Sequence, residues 1–116
     1  MVTVYVTVPR EDADEVTETL LEERLVACVN RVPCRSTYRW EGQIHEDEEA
    51  ILLVKTAAEK YDALVERVRE LHPHEVPCVE RFDEDDILPA FAAWRDAAVG
   101  RSPPPDGQSS ADEPER

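Results

Sequence analysis

The chain has 116 residues, room for one domain with a true apolar core and no need of disulfide or metal staples. Asp and Glu number 27 against 13 Lys and Arg, a formal net charge of −14 at pH 7 that argues against duplex nucleic acid and anionic membranes as partners. No apolar run approaches the ~20 residues that span a bilayer, and the start, Met1-Val2-Thr3-Val4-Tyr5, carries no signal-like basic region, so a cytoplasmic protein is expected.

Val2, Val4, Val6 and Val8 alternate with Thr3, Tyr5 and Thr7, the period of a strand with one buried face, and Pro9 stops it. A helix follows from about Asp12, with Asp12 and Glu15 spaced as a capping box and Ala13, Val16, Leu20 and Leu21 as its apolar stripe. Val26-Ala27-Cys28-Val29 opens a second strand. Pro33 marks a bulge or an edge position in it. Ser36-Thr37-Tyr38-Arg39-Trp40 is rich in β-formers, and Glu41-Gly42-Gln43 reads as a tight hairpin turn with Gly42 at positive φ. The return strand begins near Ile44 and passes the acidic run Glu46-Asp47-Glu48-Glu49. It ends on Ile51-Leu52-Leu53-Val54, whose unbroken apolar character predicts burial on both faces.

Thr56 and Glu59 have the spacing of a second capping box, and Ala57, Tyr61, Leu64, Val65, Val68 and Leu71 fall on one helical face that Pro73 ends. A short fourth strand is expected over about residues 76–82. A last helix starts near Pro89, turns Phe91, Trp94 and Ala98 inward, and stops at Gly100. From there to residue 116 the sequence is acidic and Pro/Ser-rich, the composition of a disordered tail. The division is thus a domain over residues 1–99 and a tail over 100–116. The order β-α-β-β-α-β predicts an α+β, ferredoxin-like sandwich with an antiparallel sheet, helices on one face and an extra C-terminal helix.

Chemistry concentrates in Leu71-His72-Pro73-His74-Glu75-Val76-Pro77-Cys78. His72, His74 and Cys78 supply imidazole and thiol, ligands suited to copper or zinc, although the spacing matches no standard zinc pattern and His72 has a second reading as a helix C-cap. Cys28 reads as a small core residue, and Cys34 as an exposed thiol or soft ligand. With three cysteines and no CxxC spacing, reduced thiols are expected. Tyr38 and Trp40 read as cross-strand packing, an interface anchor or a ligand wall. Lys55 reads as half of an ion pair or as an anion receptor. Lysine occurs only at Lys55 and Lys60, and scarce lysine beside excess carboxylate suggests adaptation to strong salt, which screens self-repulsion. With three glycines there is no phosphate loop, and no nucleophile–base–orienter set stands out, so no enzymatic role is expected.

Several segments together resemble the CutA family: Glu22-Glu23-Arg24-Leu25-Val26-Ala27-Cys28-Val29-Asn30, Val32-Pro33, Tyr38-Arg39-Trp40-Glu41-Gly42, Leu53-Val54-Lys55-Thr56, Leu71-His72-Pro73-His74-Glu75-Val76-Pro77, and Trp94. The resemblance covers about residues 1–99. It implies a tight homotrimer of PII-like architecture, tolerance to divalent cations, and copper binding as in some members. Tyr38, Trp40, Lys55, His72 and Glu75 would then lie near intersubunit clefts. The chain departs from the copper-binding pattern at Val6, where those relatives have cysteine, and at Leu71, where some have histidine. His74, Cys34 and Cys78 stand where the family usually has tyrosine, glycine and glutamate. The leading expectation is therefore a metal-responsive homotrimer with His72, His74 and Cys78 as candidate ligands. The alternative is a PII-like signalling module binding a small anionic ligand or a partner protein in the cleft through Lys55 and Trp40.

Overall fold

The computed structural model describes residues 1–100; the expected tail beyond Gly100 lies outside the described residues. Strand β1 (Val2–Pro9) buries its four valines completely on one face and half-buries Thr3, Tyr5 and Thr7 on the other. Helix α1 (Ala13–Glu22) leads to β2 (Cys28–Trp40) and β3 (Gln43–Thr56), then α2 (Tyr61–Leu71), β4 (Cys78–Asp83) and α3 (Pro89–Ala98). The sheet order is β2-β3-β1-β4 with every neighbour antiparallel, the ferredoxin-like arrangement expected.

Ala13, Val16 and Leu20 of α1 and Leu64 and Val68 of α2 close over the valine face of β1 and over Leu52 and Val54 of β3. Leu21, expected in the α1 stripe, is 39% exposed, because 100° of turn carries it past the edge of the contact. Ile51 and Leu53 are half-buried rather than enclosed, since they share the other face of the sheet. The two leading helices cover one face only. The third reaches the opposite face, where Arg95 of α3 binds Glu84, which accepts a hydrogen bond from Thr3. That corrects both the one-sided layering and the inward face of α3. Arg95 is its fully buried residue, while Phe91, Trp94 and Ala98 are half-buried.

Neither capping box forms. Asp12 makes no side-chain cap, because a single 3-10 turn, Arg10–Asp12, leads into α1 and meets the backbone demand instead. Thr56 is the last residue of β3; its buried hydroxyl donates to the Leu25 carbonyl at 2.7 Å, and a second 3-10 turn, Ala58–Lys60, starts the helix. Cys28 is half-buried at the start of β2 and stands outside the core cluster.

β2 runs unbroken through Pro33, paired residue for residue with β3. Pro33 sits opposite Ala50 without a bulge, which it tolerates because β2 is an edge strand. The hairpin turns through Glu41 (φ 51°) and Gly42 (φ 78°), two positive-φ residues as a two-residue type I′ turn requires. Pairing of β3 with β1 stops at Glu49–Pro9, so residues 35–40 and 43–48 form a two-stranded ribbon with no third strand among the described residues. The ribbon lengthens the molecule to 54 × 28 × 25 Å. The radius of gyration, 15.5 Å, exceeds the ~13 Å of a compact domain of about 100 residues.

Candidate functional site

Where the ribbon leaves the sheet, the face opposite α1 and α2 forms the floor of a cleft of about 620 Å³. Tyr5 and Thr7 of β1, Glu49 of β3, and Cys78 and Glu80 of β4 line the floor. Tyr38, Trp40 and His45 of the ribbon form one wall, with Tyr38 and His45 stacked at 5.6 Å. The connector between α2 and β4 forms the other wall and brings His72, His74 and Glu75 to it. Strand alternation explains the convergence: even positions of β2 and odd positions of β3 share the face on which the odd residues of β1 stand.

His72, expected as a metal ligand, is engaged at both ring nitrogens. Nδ1 accepts the His74 backbone N–H at 3.0 Å, so the ring proton sits on Nε2, which donates to the Thr7 carbonyl at 2.8 Å. His72 is 7% exposed and straps the connector to β1. His74 and Cys78 are exposed on the cleft, with the His74 ring 4.9 Å from that of His72. Burial pushes the Cys78 thiol above its usual range; a hydrogen bond with Thr7 opposes this, and the Glu80 carboxylate adds to the rise. A soft metal at Cys78 must therefore displace a tightly held proton. Among the described residues, no group of three or more His, Cys, Asp or Glu side chains is assembled as a ligand set.

Tyr38 donates to the Asp47 carboxylate and is 37% exposed, beside Trp40 at 44%. Burial raises the Tyr5 phenol, and the neighbouring thiols with the Glu80 and Glu49 carboxylates raise it further. Lys55 is separated from these groups. It lies at the far end of the sheet, opposite Thr3 and Cys28, and its Nζ donates to Thr3 Oγ1 at 3.3 Å. There, too, burial of Glu84 by itself raises its carboxyl. Arg95, Thr3 and Lys55 outweigh that and hold it below the usual carboxylate range.

Sequence reasoning missed Glu49, His45 and the Tyr5–Thr7 floor. Glu49 was hidden in an acidic run, but its spacing of four from His45 and two from Ile51 puts all three on one strand face, a signal that was there to be used.

A family profile described as "CutA1 divalent ion tolerance protein" matches residues 2–98. The chain belongs to the CutA1 divalent ion tolerance family. It is 44% identical over 95 residues to the divalent-cation tolerance protein CutA of Pyrococcus horikoshii, covering 81% of this chain and 93% of that one. A solved structure of the divalent cation tolerance protein CutA from Archaeoglobus fulgidus, described as periplasmic, superposes with a TM-score of 0.83 at 34% identity over 86% of this chain and 100% of its own. A structure from Nostoc sp. PCC 7120, described as a PII-like protein CutA in apo form, gives 0.83 at 28% identity, covering 86% and 98%. The CutA1 match takes in every element from β1 to α3, so the cleft lies wholly inside the family's domain. Among the described residues, no helix of this CutA1 chain is long and apolar enough to cross a membrane.

Proposed function

We propose that the chain is a non-enzymatic, cytoplasmic homotrimer that responds to metal ions, with His74 and Cys78 as its first soft-metal donors. The carrying observation is that both side chains open onto one cleft at the root of a ribbon that has no third strand among the described residues. Imidazole and thiolate suit copper or zinc. His72 does not fit as a ligand unless one of its two internal hydrogen bonds breaks, so the remaining donors come from water or a second copy. When bound, the metal would supply a charge centre at the cleft mouth.

Assembly is supported by the ribbon. An isolated two-stranded ribbon is marginal in water, and this one exposes Trp40 and Ile44, with Val32 below it on the edge strand. A cytosolic location is supported by the three free thiols. The PII-like reading draws on the Nostoc relative and on the cleft's size, which suits a small molecule. Its anionic-ligand form loses support, because Lys55 is at the other end of the sheet and, among the described residues, no Lys or Arg lines the cleft.

The test is a competition titration of the reduced protein with copper and zinc in high salt, with the mass measured by light scattering. A three-chain mass and simple stoichiometry, lost in the His74→Ala/Cys78→Ser double variant and kept in His72→Ala, is the expected result. Binding indifferent to the double variant would assign the metal to the general carboxylate surface and end this reading.

A further inference from the structure

We draw no further inference here: the strongest candidate, the side-chain cluster of Thr3, Lys55, Glu84 and Arg95 that ties α3 to the sheet, has its groups bonded to one another within the chain, and its buried, unpartnered Arg95 Nε points to no ligand.

Discussion

His72→Ala should destabilise the fold without removing a metal ligand. The imidazole makes two internal hydrogen bonds, to the Thr7 carbonyl at 2.8 Å and from the His74 amide at 3.0 Å, in a site only 7% exposed. Each bond contributes about 1 kcal/mol net, and a partner left buried and unpaired adds about 1–3 kcal/mol. Water reaching the exposed connector will satisfy the His74 amide more readily than the Thr7 carbonyl, so the total is about 2–4 kcal/mol. For a domain of this size that lowers Tm by roughly 10–20 °C. Two further variants divide the effect. His72→Gln keeps a donor at the Nε2 position and His72→Asn keeps an acceptor at the Nδ1 position, so each should recover about half of the lost stability. The assay is thermal unfolding of reduced protein in high salt, followed by circular dichroism. A His72→Ala protein that melts with the parent and loses copper or zinc affinity would refute the strap and make His72 a ligand.

Glu84→Gln should leave the buried Arg95 guanidinium without its counter-charge and cost about 3–5 kcal/mol at neutral pH by chemical denaturation. The same pair sets an acid profile. Because Glu84 titrates below the usual carboxylate range when folded, its contribution is complete above the unfolded value of about 4.3 and fades as pH falls through the lower folded value. The Gln variant should flatten that part of the stability–pH curve. Leu52→Ala, at a fully buried position on β3, should cost about 2–5 kcal/mol, and a loss under 1 kcal/mol would mean that the helices collapse onto the gap. Gly42→Ala meets no atom within 4 Å but must hold φ at 78°, so about 1 kcal/mol of strain should appear in a urea melt with no repacking. With each copy at −14, both Tm and assembled mass should fall from molar potassium chloride to dilute buffer; invariance would show that the interface alone suffices.

Most of the fold was legible because its strongest signals are local. The Val2–Val8 alternation, the Leu64–Val68 spacing and the Glu41-Gly42 turn each specify an element by its own periodicity or dihedral demand. What was not legible depended on partners distant in the chain. Thr56 has the look of a helix cap, yet its hydroxyl is claimed by Leu25, thirty-one residues earlier. Arg95, on a helix otherwise made mostly of Ala, Phe and Trp, is the most buried side chain of α3 because Glu84, itself held by Thr3, meets it. The His72-Pro73-His74 segment was found from composition, but the roles within it were not. Composition says which atoms are available and is silent on which of them the backbone has already claimed. His72 is spent on the Thr7 carbonyl, and His74 and Cys78 are left facing the cleft.

The two ends of the sheet face opposite α1 and α2 follow different electrostatic rules. At one end Glu84 is met by Arg95, Thr3 and Lys55, and its charge is neutralised within the chain. At the other, Glu49 lies on the cleft floor with no ion pair among the described residues, and its carboxylate oxygens remain open to the cleft. The chain has arginines to spend near that second end: Arg10 and Arg35 are on the ribbon side, and both are directed to exposed carboxylates, Glu48 and Glu46. Both pairs lie on the other face of the ribbon from Glu49, and each, being exposed, contributes only about 0–1 kcal/mol. Charge at the cleft end is therefore met by water and exposed pairs, whereas at the other end it is met by a buried arginine of the same chain.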